Sequence, residues 1–485
     1  MNWKQILRTS AAMQGIIGIF MIIPTIMALV LGEVEAFKAF AVSLIIIIVY
    51  VAIILTLGKS WSSRRFTIRD VYIFVTLTWV IASALGAIPL HLSGATANFS
   101  SAYMEVMSGF STTGLSTIAN IEAAPLSIVF WRSLTHWIGG MGIVVLFVAL
   151  LPLIGVEGAQ LYGAETTGPT KSRLTPKIKN TALILWLIYL GITLLEVIAL
   201  LIGRLPLFDA LTISFGTVAT GGFSPKNASI LAYNSPYVET VVTVFMIMGG
   251  INFSLYFALL KKKVALVRHN SELKVYLIII LGASLIAALS LLGQGLYATF
   301  SQALRHGAFQ VASTITTTGF YSAEYELWPS LAQSMIFILM FVGGCSGSTG
   351  GGIKVSRIIT MFRLGRQNIR TMLHPKGFFT IQSEKEAISW TAVNAIVGFI
   401  AIYIALLLFS TVVVASAGFD LLSSFVAGLT SLGNIGLGMG AFGSNGVGFG
   451  ALPSYAKWCL SFMMLAGRLE LYTVLALFSR TFWKR

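Results

Sequence analysis

Four short polar strips, each ending in glycine and each set among apolar residues, constrain the fold of this chain more than any other feature. Aligned on the glycine without gaps, they are Thr112-Thr113-Gly114, Ala219-Thr220-Gly221, Thr317-Thr318-Gly319 and Asn434-Ile435-Gly436, with glycines 107, 98 and 117 residues apart. About a dozen mostly apolar or small residues precede each glycine. A bilayer core takes about 20 residues of helix, so these segments are too short to span it. The sequence predicts four re-entrant segments.

Backbone that leaves a helix at membrane depth has carbonyl groups to satisfy, and it is tolerated only inside protein or along a water-filled path. Glycine suits such a strip because it adopts backbone angles that other residues resist. Four strips around one axis would present rings of carbonyl oxygens, which replace the hydration shell of an ion in a potassium-selective filter. One Thr-Gly dipeptide would indicate a simple helix break, but four copies at near-regular spacing favour a pore.

The composition is typical of a polytopic membrane protein. Of 485 residues, 56% are hydrophobic and 10% are charged, and the mean hydropathy is +0.87. The two cysteines, Cys345 and Cys459, have apolar or Gly-rich neighbours. That pattern predicts neither a disulfide framework nor a cysteine metal site.

The net charge of +15 raises the question of nucleic-acid binding, and the distribution of the charge answers it. Of the 32 Lys and Arg residues, 25 fall between or beyond predicted spans, in segments 4–8, 59–69, 171–179, 261–274, 354–385 and 480–485. The positive-inside rule places these segments and both termini in the cytoplasm. Anionic lipid headgroups explain the charge there, and no nucleic-acid partner is expected.

The order of spans predicts an all-α membrane protein built from four copies of one unit. A two-helix hairpin comes first, within residues 1–66, with apolar runs at 11–31 and 40–57. A unit of span, re-entrant pore helix, strip and span then recurs, over residues 67–156, 157–265, 266–380 and 381–485. Each unit begins and ends on the cytoplasmic side. The units are therefore parallel repeats around a central pore along the membrane normal.

Differences between the strips bear on selectivity. Only the glycine is common to all four, so the predicted pore has fewer equivalent carbonyl layers than one built from identical chains, and its selectivity should be looser. Acidic residues near the predicted outer mouth would concentrate cations there, unless they are ordinary loop carboxylates. They are Glu105, Glu122, Asp209, Glu324, Glu326 and Asp420.

A Gly-rich interruption divides the second span of the third repeat. It reads Gly343-Gly344-Cys345-Ser346-Gly347-Ser348-Thr349-Gly350-Gly351-Gly352, with six glycines in ten residues. Each glycine in a helix interior costs about 1 kcal/mol relative to alanine. Such a break is tolerated at membrane depth where it lines a cavity. The segment is therefore interpreted as a hinged gate, with a static broken helix as the alternative.

Arg468 lies in the otherwise apolar last span. A charged side chain within a membrane usually faces the bundle interior or a water path, and it needs partners there. A positive charge beneath the strips would repel a cation, so Arg468 is interpreted as an electrostatic part of the gate, with Glu470 or loop carbonyls as partners. A structural ion pair is the alternative.

These features together resemble the TrkH/TrkG/KtrB superfamily of potassium transporters, over essentially the whole chain. The resemblance rests on four linked units with one glycine in each strip, on the Gly-rich break and on Arg468. The leading hairpin is similar to that of the TrkH branch. The resemblance implies a homodimer in the bacterial inner membrane with one potassium pore in each subunit. It also implies a cytosolic TrkA-type RCK ring that binds NAD or ATP as the regulating partner, and no covalently bound cofactor.

The resemblance also assigns roles to residues. Backbone oxygens of Gly114, Gly221, Gly319 and Gly436, and of the two residues before each, would hold the potassium ion. The segment 343–352 would lie across the pore below the filter and move for conduction, and Arg468 would be its constriction partner. Ala219 and Ile435 stand where the other strips have threonine, which argues against side-chain coordination at those two places only.

Other interpretations of the sequence are weaker. Gly344-Cys345-Ser346-Gly347 matches the motif of intramembrane serine proteases, but His374 is the only histidine that follows it. Residues 347–354 suggest a phosphate loop, yet no Gly-Lys-Ser/Thr follows them and the stretch lies within a predicted span. We therefore expect a protein that is not an enzyme.

Within transport, a symporter coupled to protons or sodium is the alternative to the channel-like pore that four parallel repeats favour. The basic segment 357–385 adjoins the proposed gate and is predicted to dock the ring. The segment 171–179 is the second choice for that contact.

Overall fold

The computed structural model describes residues 1–58, 66–142, 178–377, 379–383, 386–444 and 446–484. Its first nine helices are α1 (Trp3–Val30), α2 (Val34–Leu57), α3 (Ile68–Leu92), α4 (Phe99–Phe110), α5 (Leu126–Gly140), α6 (Ile178–Ile202), α7 (Leu207–Val218), α8 (Pro236–Gly249) and α9 (Phe253–Leu260). The others are α10 (Val264–His269), α11 (Ser271–Gly293), α12 (Phe300–Ile315), α13 (Ser330–Leu339), α14 (Val355–Leu373), α15 (Trp390–Ala415), α16 (Leu421–Gly433), α17 (Ser454–Arg468), α18 (Tyr472–Leu475) and α19 (Arg480–Trp483). Within the described residues, the named elements are helices apart from one two-residue antiparallel pair, Gln382–Ser383 with Glu386–Ala387. The all-α prediction is confirmed.

A long helix followed by a short helix recurs four times. The pairs are α3 with α4, α6 with α7, α11 with α12, and α15 with α16, and the two members of each pair pack together. The short helices have 12, 12, 16 and 13 residues. Three of them begin at a side chain that caps the first turn, namely Asn98, Thr299 and Asp420. Such caps satisfy backbone N–H groups that have no partner inside the helix, and so they fix where the short helix starts.

Six described helices are long and apolar enough to cross a membrane: α1, α2, α3, the part of α6 from Thr181 to Ile202, α11 and α15. Two bent pairs, α8 with α9 at 92° and α17 with the chain through Phe478 at 112°, bring the number to eight if each is one span. The predicted second span of the first repeat continues into residues 143–153, which lie outside the described part. The multi-pass prediction is confirmed.

The break in the third repeat follows the Gly-rich sequence. The helix α13 ends at Leu339 and α14 begins at Val355, and the ten Gly-rich residues lie between them. A break between two helices is therefore observed where the Gly-rich sequence predicts it, and α13, before the break, is a short apolar helix.

Burial separates an apolar exterior from a tightly packed centre. In the most apolar 18-residue stretch of α2, 17% is buried, and large side chains such as Ile48 are exposed. By contrast, every residue of α4 from Ser100 to Phe110 is buried. An apolar exterior of this extent suits lipid rather than water. The short helices, and the strips that follow them, therefore lie at the centre of the molecule.

Candidate functional site

Each short helix leads into its strip with the same backbone conformation. The first strip residue is left-handed: Thr112, Thr220, Thr317 and Asn434 have φ of 54°, 53°, 57° and 51°. Two residues later comes a left-handed glycine: Gly114, Gly222, Gly319 and Gly436 have φ of 88°, 83°, 86° and 84°. Glycine adopts this conformation readily. A threonine held there costs about 1–3 kcal/mol, which persists only where the surrounding structure imposes it, typically at a functional site.

The structure corrects the predicted alignment of the second strip by one residue. Gly222, and not Gly221, has the conformation of the other three glycines. Thr220 begins the strip, whereas Ala219 still has helical angles at the end of α7. The predicted filter residue Ala219 therefore lies outside the strip, and Gly222 was missed.

Hydrogen bonds agree with the corrected register. The amide of the middle residue of each strip donates to the fifth residue before it, in the short helix. The four bonds are Thr113 to Ser108 O at 2.8 Å, Gly221 to Gly216 O at 2.7 Å, Thr318 to Ser313 O at 2.8 Å, and Ile435 to Thr430 O at 3.0 Å. Thr113, Gly221, Thr318 and Ile435 are thus equivalent.

The four strips contact one another in a closed ring. A Cβ atom at any of the four left-handed glycines would come closer than 3.0 Å to a carbonyl oxygen of the next strip. The contacts are Gly114 with Gly221 O, Gly222 with Thr318 O, Gly319 with Ile435 O, and Gly436 with Thr113 O. Because the last contact returns to the first strip, the strips surround one axis in chain order. Four equivalent carbonyls border that axis, and only glycine leaves room for them.

The electrostatics of this ring suit a cation. All four short helices end at the ring, and a helix C-terminus has a partial charge of about −0.5. The amides of the middle residues point back into those helices, as their hydrogen bonds show. Carbonyl oxygens and negative helix ends therefore lie together at the ring.

The Gly-rich segment 343–352 lies against the helix-side end of the strips. The amide of Gly351 donates to Thr317 Oγ1 at 2.6 Å. In the second strip, Thr220 Oγ1 donates to Thr349 Oγ1 at 3.2 Å. The segment thus contacts the left-handed threonines at the start of two strips.

Arg468 connects this segment to two other repeats. From the end of α17 it donates through Nη1 to Thr349 O at 2.6 Å. Through Nη2 it donates to Gly139 O at 2.6 Å and to Gly140 O at 2.9 Å, at the end of α5. Loop carbonyls, one of the two expected kinds of partner, are therefore observed.

Glu470, the other expected partner, forms an ion pair with Arg357. Lys354, which the sequence placed in a cytoplasmic segment, is 3% exposed and donates to the carbonyls of Gly350 and Gly351. The basic residues directly after the Gly-rich segment therefore belong to a buried network beneath the strips.

Hydrogen bonds that the sequence did not predict hold the two ends of the Gly-rich segment together. Glu272, in the first turn of α11, accepts from the amide of Ser346 at 2.8 Å and from that of Ser356 at 3.0 Å. The amide of Gly343 donates to Ile353 O at 2.9 Å. These bonds hold the two ends of the segment close together, and the residues between Ser346 and Ile353 lie between the held ends.

Glu105 is buried and paired, so the prediction that it attracts cations as an exposed carboxylate is wrong. Its side chain is fully buried and forms an ion pair with Arg132. It also accepts from the amide of Thr117 at 2.5 Å. The sequence pattern could not show that a carboxylate in a short helix turns inward to a distant arginine.

The other acidic residues vary in exposure. Glu122, Glu324 and Asp420 are exposed, and Asp209 and Glu326 are half-buried. Asp420 caps α16, where the hydroxyl and the amide of Ser423 hold the pKa of its carboxyl below the ordinary value. Asp209 accepts from Tyr233 Oη at 2.9 Å.

The serine protease alternative is excluded for its two candidate residues. Ser346 lies 2.6 Å from Ser356, oxygen to oxygen, at the start of α14. His374 caps the other end of that helix. A rise of 1.5 Å per residue places Ser356 and His374 about 27 Å apart, so the histidine cannot act as a base for Ser346.

Comparison with known proteins gives one consistent result. The family model described as TrkH, cation transport protein, matches residues 37–485. The Trk system potassium uptake protein TrkH of Halomonas elongata is 35% identical over 488 residues, which cover 100% of both chains. The protein of the same name from Escherichia coli K12 is 33% identical over 471 residues, 96% of each chain.

A solved structure agrees over the same length. The crystal structure of the potassium transporter TrkH from Vibrio parahaemolyticus matches with a TM-score of 0.87 and 30% sequence identity, and the match covers 100% of both chains. The predicted resemblance is confirmed: this chain belongs to the TrkH family of cation transport proteins.

Proposed function

We propose that this protein takes up potassium across the bacterial inner membrane through a gated, cation-selective pore. The observation that carries the proposal is the closed ring of four equivalent carbonyls, from Thr113, Gly221, Thr318 and Ile435. Such a ring replaces the hydration shell of potassium. The names of the relatives, potassium uptake proteins, agree with it.

The filter of this pore comprises the corrected strips, with backbone oxygens as ligands. The residue before the glycine varies, as threonine, glycine, threonine and isoleucine. The residue before that is threonine in three strips and asparagine in the fourth, left-handed in all four. Two layers with matching backbone favour potassium and rubidium over sodium and lithium. Because the side chains differ between the strips, we expect a weaker preference for potassium over sodium than four identical strips would give.

The segment 343–352 is the gate in this proposal. It contacts the strips from the helix side, where an ion leaving the filter toward the cytoplasm would pass. Arg468 fixes its Thr349 carbonyl and adds a positive charge beneath the ring. Conduction requires the middle of the segment to move away, and the six glycines allow this at low steric cost.

Transport into liposomes tests this function. The purified protein is reconstituted into vesicles loaded with potassium, and radioactive rubidium is added outside. Uptake driven by the potassium gradient alone, inhibited by external potassium at least tenfold better than by sodium or lithium, is the expected result. Uptake that needed an imposed proton or sodium gradient would support the symporter and contradict the pore.

Two copies of the chain form the functional unit in this proposal, with one pore in each, as the resemblance implies. The cytosolic TrkA-type ring, with NAD or ATP bound, docks on α14. This helix follows the Gly-rich segment directly, and its Arg366 and Arg370 are exposed while Arg363 is half-buried. A movement of α14 caused by the ring would therefore act directly on the Gly-rich segment, because no loop lies between them. The second-choice segment, 171–179, includes residues 171–177, which lie outside the described part.

Neutralising the basic face of α14 tests the docking site. Replacing Arg363, Arg366 and Arg370 by glutamine should weaken ring binding at least tenfold, because charged contacts are removed from an exposed surface. Ring binding and nucleotide-dependent rubidium uptake are both measured. Glutamine at Lys261, Lys262 and Lys263, three exposed lysines after α9, is the matched control. Equal effects of the two triple variants, or none from either, would exclude α14 as the dock.

A further inference from the structure

A buried ion pair lies behind the ring, between the first two strips. Glu105 is on the first short helix and Arg132 is on α5. Their side chains are 0% and 2% exposed, and they form a direct ion pair. Charges taken out of water in this way need several good partners, because desolvation costs several kcal/mol for each ion.

The partners of Glu105 directly follow the first strip. Its carboxylate accepts from Ser116 Oγ at 3.0 Å and from the Thr117 amide at 2.5 Å. The Thr117 hydroxyl lies 3.0 Å from the carboxylate and 2.9 Å from Ser101 O, and its one proton is shared between these two acceptors. These residues come two and three places after Gly114. The carboxylate therefore fixes the first strip immediately beyond its glycine.

The partners of Arg132, apart from Glu105, directly follow the second strip. Its Nη1 donates to Ser224 O at 3.1 Å, and its guanidinium carbon lies 3.8 Å from the centroid of the Phe223 ring. His136 also stacks on that ring, with 3.9 Å between centroids. Phe223 and Ser224 directly follow Gly222. One guanidinium thus contacts the second strip while it is bound to the carboxylate that holds the first.

We propose that Arg132, paired with Glu105, is a positioning residue that sets the preference for potassium over sodium by fixing the first two strips relative to each other. The inference rests on the proposed function, because it concerns the filter of that pore. The second strip needs such support more than the first and third strips do. Its middle residue is Gly221, whereas Thr113 and Thr318 each have a hydroxyl 2.7 Å from a hydroxyl of the residue two places earlier.

The planar guanidinium is essential to this role. It offers several donors in a fixed geometry and a flat face for an aromatic ring, whereas a lysine ammonium is a single point charge. Lysine in its place would keep the charge pair with Glu105. It would lose either the bond to Ser224 O or the stacking on Phe223. The substitution therefore separates the strip contacts from the burial of charge.

The test uses Arg132→Lys in reconstituted full-length protein. Rubidium uptake is inhibited by external potassium and by sodium, and the ratio of the two inhibition constants is compared with that of the parent. We expect the ratio to fall at least tenfold while uptake continues. Thr117→Val, which at nearly constant volume removes the hydroxyl that contacts both Glu105 and Ser101 O, should lower the ratio about threefold. That second variant keeps the test decisive if Arg132→Lys does not fold.

The matched control is Arg305→Lys. Arg305 also forms an ion pair with a buried glutamate, Glu239, at 2.9 Å, but this pair joins α12 to α8. In Arg305→Lys, the ratio of the inhibition constants for potassium and sodium should remain within twofold of that of the parent. A ratio unchanged in folded Arg132→Lys and Thr117→Val, with only the amount of active protein reduced, would overturn the inference. A parent protein without preference for potassium would overturn the proposed function itself.

Discussion

Gly319→Ser is expected to lower the preference for potassium over sodium at least tenfold, a loss of about 1.4 kcal/mol in relative binding. The backbone at Gly319 has φ of 86°, and a Cβ there would meet the carbonyl oxygen of Ile435 in the next strip. Serine must therefore displace a ligand oxygen or alter the strip. Rubidium uptake with potassium and sodium as competitors measures the effect.

The control for this variant is Gly282→Ser in the same repeat. Gly282 lies in the middle of α11, and a Cβ there would have open space around it. Its selectivity should equal that of the parent. If Gly319→Ser retained the parental selectivity as well, the glycine ring would not be the filter.

Arg468→Ala is expected to raise rubidium uptake in the absence of the ring at least fivefold. The substitution removes three hydrogen bonds, to the carbonyls of Thr349, Gly139 and Gly140. Hydrogen bonds from charged groups contribute about 1.5–3 kcal/mol each, and a net shift of about 1 kcal/mol toward an open segment suffices for a fivefold change. The positive charge beneath the ring is removed at the same time.

Arg480→Ala serves as the comparison, because Arg480 is an exposed arginine at the start of the last helix. Uptake through that variant should match the parent, and Arg468→Lys should lie between the parent and Arg468→Ala. Unchanged uptake in folded Arg468→Ala would contradict a role in gating. It would leave the arginine as a structural connection between repeats.

The sequence predicted the strips and the break because both depend on local chemistry. Thr-Gly strips after short apolar helices, and six glycines inside a span, have conformational consequences that need no knowledge of distant residues. These local features explain why α13 ends before the Gly-rich segment and α14 begins after it. They also explain why each of the four short helices ends at a strip. The prediction was wrong for the second strip because Gly221 and Gly222 are adjacent and both fit a gap-free alignment. Alignment on Gly222-Phe223 with Gly319-Phe320 would have given the correct register.

Long-range contacts were beyond the reach of pattern alone. Glu105 looked like a mouth carboxylate, yet its partner Arg132 is 27 residues away on another helix. Glu272 accepts from Ser356, 84 residues later. Charge near a predicted span does not reveal which way a side chain turns, and burial decides whether it attracts ions or supports the backbone.

Locating the bound ion is the most direct test of whether the carbonyl ring is the filter. Crystals of the protein grown in rubidium and, separately, in sodium would be measured at the rubidium absorption edge. For a filter at the carbonyl ring, we expect an anomalous peak among the carbonyls of Thr113, Gly221, Thr318 and Ile435 in the rubidium crystals alone. A rubidium peak elsewhere in the molecule, with none at this ring, would show that the ring is not the filter.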